Sequence, residues 1–374
     1  MPDVIVLGLG SMGSAAAYHL AARGLRVVGL DRFTPPHTRG AHAGGSRIIR
    51  MTYAEGAAYV PLLHRAYAAW REVEEASGAR LVTRTGGLNI GLPESETVTG
   101  ALTSAREHGL DHEVLDAAAI RARFPAFAPA AGEVAVFDVA AGIVTPERAI
   151  ETLLGLARQA GADLRFGTAA TTWKSTRDRV AVTLADGSAL HADRLVVAPG
   201  GWAPGLFDVP LRVQRRVQHF WNPPAGFSPT EFPVWIWEDA TGTIGYGMPA
   251  FGPEGLVKAA FHTPQSGAGP VDVDLGADPP RPGEEQAVRD WLGPRIPSLS
   301  TSGYAGGKQC LYTLTPDEHF VIGPVDDRVV AACGFSGHGF KFVPVVGEIL
   351  ADLATGRPSA FDIRLFSPTR FRLP

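Results

Sequence analysis

Cysteine is scarce in this sequence: Cys310 and Cys333 are the only two among 374 residues. Two cysteines cannot form a disulfide framework, so a reducing compartment is the simplest expectation. Long apolar runs are missing as well, since no stretch reaches the roughly 20 residues of a membrane span. The 34 basic and 38 acidic residues nearly balance, which disfavours a nucleic acid or an anionic membrane as partner. We therefore predict a cytoplasmic protein, and the first strand begins too early for a secretory signal.

Glycine, in contrast, is abundant and forms a pattern at the start of the chain. An apolar strand, Val4–Leu7, leads into the glycine-rich turn 8–13, and a helical run follows that ends at Gly24. A second, mostly apolar run, Leu25–Leu30, stops at Asp31. This order of strand, glycine turn, helix, strand and acid is typical of a dinucleotide-binding site.

Each residue type in this pattern has a physical reason. Gly8 permits the tight turn, Gly10 lets backbone N–H groups approach a pyrophosphate, and Gly13 lets the helix pack close to the strand. Asp31 can accept hydrogen bonds from both ribose hydroxyls, which favours FAD or NAD over NADP but does not separate the two. The residues that we assign to a cofactor from this stretch are Gly8, Gly10, Ser11, Met12, Gly13, Asp31 and Arg32.

Two arginines flank two isoleucines in Arg47-Ile48-Ile49-Arg50, shortly after this motif. One interpretation is a solvated basic strand. The other is that Arg47 or Arg50 turns inward to meet an anion. The residues themselves leave this open.

The rest of the chain predicts two kinds of structure. The strand Leu195–Ala198 ends in Pro199-Gly200-Gly201-Trp202, a second place where backbone can approach a cofactor. From about Leu211, strands with alternating apolar residues and many aromatics dominate, as in an antiparallel sheet. We predict an α/β plus α+β fold: a Rossmann-like cofactor domain (1–84, 145–210 and 322–374) with an inserted antiparallel-sheet substrate domain (85–144 and 211–321). Helices are expected over Tyr59–Ser77, Glu94–His108, Asp116–Arg123, Pro146–Arg158, Glu284–Leu292 and Phe342–Thr355.

A second glycine-rich turn, 334–339, lies near the C-terminus between the apolar strand 329–333 and the last helix. An NAD dehydrogenase rarely needs such a turn. A flavoprotein often has one, because a second helix N-terminus can stabilise the negative charge of the reduced flavin ring. This turn favours FAD over NAD.

Five segments together carry a resemblance to a known family: Gly8–Gly13, Ser46–Arg50, Lys308–Thr313, Pro316–Phe320 and Gly334–Phe342. On these segments the chain resembles, nearly from end to end, the monomeric sarcosine oxidase and N-methyltryptophan oxidase family of FAD-dependent amine oxidases. The last three segments are the most specific.

The resemblance implies a role for several single residues. FAD would be attached covalently to Cys310, which is otherwise a buried structural thiol. Arg50 and Lys341 would hold the substrate carboxylate. Lys258 would face flavin N5 and serve dioxygen; it lies four residues before His262 in a predicted strand and should share its face, although such a lysine is more often a solvated edge residue. The implied catalytic residues are Lys258, His262, Arg50, Lys341, Tyr312 and Tyr246. The further implied cofactor residues are Ser46, Arg47, Gly200, Trp202, Cys310, Gly334, Phe335, Ser336, Gly337, His338, Gly339 and Lys341. We predict no metal site.

The chain departs from the family at two places. Only His42, followed by Ala43, stands where sarcosine oxidases carry two adjacent histidines, and the strand Val234–Trp237 is more aromatic than a sarcosine pocket suggests. The predicted function is therefore FAD-dependent oxidation of sarcosine or of another N-methyl or cyclic amino acid, by a monomer that reduces O2 to H2O2. The alternatives are a flavin amine dehydrogenase with another electron acceptor and a non-catalytic FAD-binding subunit.

Overall fold

The structure is a computed structural model, and it describes residues 1–264, 271–274, 276 and 278–371. The helices in this part of the chain are α1 (Ser11–Ala22), α2 (Val60–Ser77), α3 (Glu96–His108), α4 (Ala117–Arg123), α5 (Pro146–Gln159), α6 (Glu284–Leu292), α7 (Pro297–Ser300) and α8 (Val343–Ala354). The strands are β1 (Val4–Leu7), β2 (Val27–Leu30), β3 (Arg47–Ile49), β4 (Val82–Arg84), β5 (Gly87–Gly91), β6 (His112–Asp116), β7 (Val134–Asp138), β8 (Gly142–Val144), β9 (Asp163–Arg165), β10 (Ala170–Ser175), β11 (Val180–Leu184), β12 (Ala189–Ala192), β13 (Arg194–Val197), β14 (Arg212–Trp221), β15 (Val234–Glu238), β16 (Ile244–Phe251), β17 (Leu256–Phe261), β18 (Tyr304–Leu314), β19 (Val321–Pro324) and β20 (Val329–Cys333). The predicted helices are confirmed, with ends that shift by one or two residues.

The first layer is a six-stranded sheet in the order β19-β20-β13-β1-β2-β9. Its strands are parallel apart from β19, which runs antiparallel to β20. Helices α1 and α8 pack closely together. A Cβ atom added to Gly347 of α8 would overlap Ala15 of α1, so glycine permits this approach. The carboxyl ends of β1, β13 and β20 meet at one edge, where parallel sheets bind ligands. The Rossmann-like part of the predicted fold is confirmed.

The second layer is an eight-stranded sheet in the order β18-β14-β17-β16-β15-β5-β7-β6. It is antiparallel as predicted except for one pair, because β5 runs parallel to β15. Trp235 and Trp237 are buried in the aromatic core behind this sheet. The intervening Ile236 lines the main cavity, since successive side chains of a strand point to opposite faces. The tryptophans that make this strand more aromatic than a sarcosine pocket suggests therefore face the core and not the cavity.

Two strands beside the cavity differ from the prediction. Strand β14 begins at Arg212 rather than near Val217, and β18 has no counterpart among the predicted strands. In β14, Gln214, Arg216 and Gln218 alternate with other buried residues. Both faces of this strand are buried, and one of them is polar, so the apolar alternation that marks a strand is absent. A smaller sheet has the strand order β3-β8-β4. The domain boundaries stay a prediction.

Among the described residues, no helix combines the length and apolar character needed to cross a membrane.

Candidate active site

One large cavity, of about 670 Å³, runs from the N-terminal glycine turn to the C-terminal one. Its volume lies in the range typical of cofactor and substrate sites, about 300–1,000 Å³. The cavity is lined by both sheets, and most of the predicted site residues contribute to its wall. These are Gly8, Gly10, Ser11, Met12, Asp31, Arg32, Arg47, Arg50, Gly200, Trp202, Tyr246, His262, Cys310, Tyr312, Gly334, Phe335, Ser336, Gly337, His338, Gly339 and Lys341.

The N-terminal turn has the geometry of a phosphate cradle. Gly8 has a φ of 86°, in the region that favours glycine. A Cβ on Gly13 would overlap the carbonyl oxygen of Gly8, so the helix approaches the strand as closely as the motif predicts. Helix α1 begins at Ser11 without a side-chain cap. Its first N–H groups are therefore available to an anion.

Asp31 and its neighbours form the distal end of the cavity. The Asp31 carboxylate accepts hydrogen bonds from the backbone N–H groups of Leu9 and Phe33, both at 2.8 Å. Each carboxylate oxygen has a second lone pair that can accept a ribose hydroxyl. Sequence reasoning missed Asp274, which accepts hydrogen bonds from Arg32 (2.8 Å) and from the Trp202 indole (2.9 Å). Asp274 thus links Arg32 and Trp202, which both line the cavity.

The two cysteines have different surroundings. Cys310 lies on β18 and lines the cavity, and Arg47 donates to its sulfur at 3.6 Å. Arg216 is its direct cross-strand partner on β14. Cys333 lies in the fully buried strand β20, where burial raises the pKa of its thiol to about 12. Arg47 therefore contacts the sulfur of Cys310, whereas Cys333 is enclosed in an apolar strand.

The second glycine turn approaches the wall of the cavity closely. Gly334 and Gly337 have φ of 61° and 84°, and Ser336 between them has a φ of 46°. A Cβ on Gly337 would overlap the ring of Tyr312. The turn thus needs glycine both for its backbone conformation and for the aromatic side chain packed against it.

Arg50 and Lys341 both lie over the ring of Tyr53, 4.7 and 4.9 Å from its centroid, and Arg50 also binds the carboxylate of Glu55. Arg50 is 5% exposed and bonds Glu55 at 2.5 Å. Burial raises the pKa of Glu55, but the Arg50 guanidinium, with smaller contributions from its other neighbours, lowers that pKa by more, so it stays below its ordinary value. Arg50 is therefore not the solvated strand residue of the first interpretation. It turns inward and meets an anion.

Lys341 is held by a chain of hydrogen bonds. Its ammonium donates to the carbonyl of His338 at 2.7 Å and reaches the hydroxyl of Tyr53 at 3.5 Å. The Tyr53 hydroxyl lies 2.5 Å from Nδ1 of His338, whose Nε2 lies 3.0 Å from the carbonyl oxygen of Glu318. Burial lowers the pKa of Lys341 to about 7 and that of His338 to about 3. His338 is therefore neutral near pH 7, while Lys341 exchanges its proton there.

His262, Tyr312 and Tyr246 line the cavity beside the second turn. Nδ1 of His262 lies 3.2 Å from the Tyr312 hydroxyl. Burial lowers the pKa of His262 to about 4 and raises the pKa of Tyr246 to about 12. All three side chains are therefore neutral at pH 7. They can exchange hydrogen bonds with an amine without adding charge.

Lys258 does not line the cavity. It is 2% exposed, and its ammonium donates to the carbonyls of Gly44 (2.5 Å) and Ser46 (2.9 Å), behind the segment that leads into β3. Strand β17 ends one residue before His262, but the hydrogen bond from the His262 N–H to the carbonyl of Ile244 continues its register, so Lys258 and His262 share a face as predicted. Burial lowers the pKa of Lys258 well below its ordinary value. The solvated-edge interpretation is wrong, because the residue is buried.

Two other predicted residues also lie outside the cavity wall: Gly13 packs on Gly8, and the carbonyl of Ser46 accepts a hydrogen bond from Lys258.

Several site residues carried no signal in the sequence. Glu55, Tyr53, Glu147 and Asp274 are common polar residues in loops or helix starts, and only folding brings them to the site. His42, the single histidine at the place where the family carries two, is buried in the cavity wall, and burial lowers its pKa to about 3.

These features fit FAD. The glycine cradle with its uncapped helix N-terminus suits the pyrophosphate, and Asp31 suits the ribose. The second turn and Cys310 lie at the other end of the same cavity, where the flavin ring of an extended dinucleotide would lie.

Comparison with known proteins agrees with this geometry. Residues 3–353 match the family described as FAD dependent oxidoreductase. The chain is 46% identical over 378 residues to the monomeric sarcosine oxidase of Streptomyces avermitilis, covering 98% of this chain and 97% of that protein. It is 34% identical over 373 residues to the N-methyl-L-tryptophan oxidase of Citrobacter koseri, covering 99% of both.

Solved structures show the same fold. NikD, described as an unusual amino acid oxidase essential for nikkomycin biosynthesis, superposes with a TM-score of 0.85 at 25% identity, over 98% of this chain and 97% of NikD. Glycine oxidase from Geobacillus kaustophilus superposes with a TM-score of 0.83 at 21% identity, over 99% of this chain and 98% of that enzyme.

Proposed function

The chain belongs to the FAD-dependent oxidoreductase family, and from this premise we propose that it oxidises an amino acid that carries a secondary amine. The substrate is sarcosine or another N-methyl or cyclic amino acid. The electrons pass to dioxygen and yield hydrogen peroxide, and the imine product is hydrolysed. The relatives named sarcosine oxidase and N-methyl-L-tryptophan oxidase support this substrate class.

The observation that carries the proposal is that Arg50 and Lys341, both buried, line one cavity and lie against the same ring, that of Tyr53. A buried guanidinium and a buried ammonium at one point form a site for a carboxylate. Glu55 is 26% exposed in its side chain, so it can move away from Arg50 toward solvent. A substrate carboxylate can then take its place between the two cations.

The other residues of the wall position the amine. FAD, when bound, accepts the hydride equivalent from the carbon next to the nitrogen. His262, Tyr312 and Tyr246 are neutral and can accept or donate hydrogen bonds at the amine nitrogen. Ile48, Ile244 and Met248, together with Ile236, line the same cavity. These apolar side chains exclude water and suit an N-methyl group or an aliphatic ring.

Covalent attachment of FAD through Cys310 is part of the same proposal. It is supported by the position of Cys310 in the cavity and by the hydrogen bond from Arg47 to its sulfur. Acid precipitation of the holoprotein should leave the yellow colour in the pellet. Cys310→Ser should release the flavin into the supernatant, and Cys333→Ser should not. The reverse result would assign the attachment to Cys333.

A panel of amines with and without carboxylates, scored for hydrogen peroxide, tests the function. Sarcosine, N-methyl amino acids and cyclic amino acids should give peroxide under air. N-Methylalkylamines that lack the carboxylate should react far more slowly at equal concentration, because Arg50 and Lys341 have no partner in them. Flavin reduction without peroxide under air would favour the alternative, a dehydrogenase that uses another acceptor.

A monomeric, cytoplasmic enzyme is part of the proposal. The described cysteines are both free. Size-exclusion chromatography tests the oligomeric state.

A further inference from the structure

We propose that Asp138, Thr52 and Asn89 act together as positioning residues that preset Arg50 for the substrate carboxylate. This inference rests on the proposed function, in which Arg50 binds that carboxylate. None of the three residues lies in the glycine turns or in the cysteine segment. Two of them belong to the eight-stranded sheet, whereas Arg50 directly follows β3 of the small sheet.

Asp138, at the end of β7, binds the backbone immediately after Arg50. One carboxylate oxygen accepts hydrogen bonds from the N–H groups of Met51 (2.6 Å) and Thr52 (2.9 Å) and from the Thr52 hydroxyl (3.3 Å). The other accepts from the N–H of Ala140 at 2.9 Å. The segment that carries Arg50 is therefore held by a side chain from the other sheet.

The second part of the clamp runs through the Thr52 hydroxyl. Nδ2 of Asn89, on β5, donates to it at 2.9 Å, and the hydroxyl in turn donates to Asp138. The carbonyl of Thr52 accepts a hydrogen bond from the Arg50 guanidinium at 2.9 Å. The chain of contacts thus runs from Asn89 and Asp138 through Thr52 to the guanidinium itself.

The burial of these groups argues for a specific task. Asp138 is 1% exposed, Thr52 0% and Asn89 2%. In the described part of the chain, no lysine or arginine nitrogen lies within salt-bridge distance of the Asp138 carboxylate. A buried carboxylate without a cation is unfavourable unless hydrogen bonds compensate it. Here every hydrogen bond to the Asp138 carboxylate comes from the residues after Arg50 or from Ala140, so its negative charge is used to order that segment. Binding sites gain affinity when their charged groups are ordered before the ligand arrives.

The decisive variant is the double substitution Thr52→Val with Asn89→Leu. It replaces both partners of one buried hydrogen bond with apolar groups of similar shape, which can be nearly neutral for stability. The link from Asn89 to Asp138 is nevertheless lost. The Kd of the holoenzyme for acetate, measured by the change in its flavin absorption spectrum, should rise roughly three- to tenfold, as expected for one net hydrogen bond. The limiting rate of flavin reduction at saturating sarcosine should stay close to that of the wild type.

Several variants serve as controls. The single substitution Thr52→Ser keeps the hydroxyl, so its Kd for acetate should equal that of the wild type. Thr183→Val, the same change on β11 of a separate sheet, should have no effect. If the double variant fails to fold, Asp138→Asn takes its place, because its amide keeps one acceptor oxygen and sets an N–H donor against the N–H groups of the segment.

The possible outcomes separate the clamp from its premise. An unchanged Kd in the double variant, with Arg50→Ala strongly weakened, overturns the clamp alone. A parallel loss of acetate affinity, reduction rate and Tm also overturns it, because the three residues would then only maintain the fold. An unchanged Kd in Arg50→Ala overturns the premise, and the clamp with it.

Discussion

Two buried lysines on either side of the cavity region have different surroundings. Lys258 gives two of its three ammonium hydrogens to backbone carbonyls, at 2.5 and 2.9 Å, and does not line the cavity. Lys341 has one short bond to a carbonyl, at 2.7 Å, and a long one to Tyr53, and it does line the cavity. Burial lowers the pKa of both. The difference shows that the acceptors around a buried lysine decide what its charge can reach: Lys341 can bind a ligand, whereas Lys258 acts through a peptide segment.

The segment in front of Lys258 is held from two sides. Its carbonyls at Gly44 and Ser46 bind Lys258, and its N–H groups at Gly44 and Gly45 donate to Glu147 at 2.8 and 3.0 Å. The peptides of this segment are thus aligned between a cation and an anion. Near Lys341 the acid, Glu55, is instead in contact with Arg50. The first arrangement fixes a peptide segment, whereas the second places two cations on the wall of the cavity.

Lys258→Met should produce the largest effect of these variants, a slower reoxidation of the flavin. The contrast between the two lysines would be wrong if it did not. Dioxygen reduction begins with an electron transfer that forms an anion, and a fixed positive charge in a site of low dielectric stabilises it. Reoxidation of the reduced flavin by air should slow about a hundredfold, or about 2.7 kcal/mol of barrier. Reduction by substrate should fall much less, because no such anion develops there. Stopped-flow spectroscopy measures both half-reactions, and unchanged reoxidation would reduce Lys258 to a structural role.

Arg50→Ala tests the opposite region. A charge-assisted hydrogen bond contributes about 1.5–3 kcal/mol, so the Kd for a carboxylate inhibitor such as acetate should rise about ten- to a hundredfold. Reoxidation by air should be nearly unaffected, in contrast to Lys258→Met. Titration of the flavin spectrum with acetate gives the Kd. Equal activity on amines without a carboxylate would contradict the assignment.

The pH dependence of acetate binding sharpens the comparison further. Burial lowers the pKa of Lys341 to about 7 in a site that it shares with Arg50, Glu55, Tyr53 and His338. The cationic form of Lys341 binds acetate, so affinity should be highest below pH 7 and fall as the pH rises through that value. His338 and His262, with pKa values of about 3 and 4, stay neutral throughout. Lys341→Met should remove the dependence between pH 6 and 8, and its persistence there would point to another group.

Glu55→Gln should give the smallest change, in the direction of tighter binding. The Glu55 carboxylate competes with the ligand for Arg50, and an amide competes less. Because Glu55 is partly exposed, its ion pair contributes at most about 1 kcal/mol, and the Kd for acetate should fall by no more than about fivefold. Weaker binding in this variant would show that Glu55 assists the ligand rather than opposes it. The same titration of the flavin spectrum with acetate measures this Kd.

The sequence by itself determined the features that depend on local chemistry. The glycine turns could be located because only glycine accepts the backbone of Gly8 and the close approach at Gly13. The helices were found because apolar residues repeat with helical spacing along one face. The Rossmann-like layer with its inserted sheet follows from the order of these elements. The identities of Arg50, Lys341 and Cys310 as candidates came from the family resemblance, not from their spacing.

Only the tertiary structure decided which side chains meet. Arg50 and Lys341 lie against the same tyrosine ring although they are 291 positions apart in the chain, and no local pattern records such a meeting. The first half of β14, 212–216, was missed because its buried residues are mostly polar and lack the apolar alternation that marks a strand. Lys258 and His262 share a face as expected, but only the fold places the segment 44–46 against the Lys258 ammonium. Charge, burial and hydrogen-bond partners are set by distance in space, and the sequence specifies that distance only through the fold as a whole.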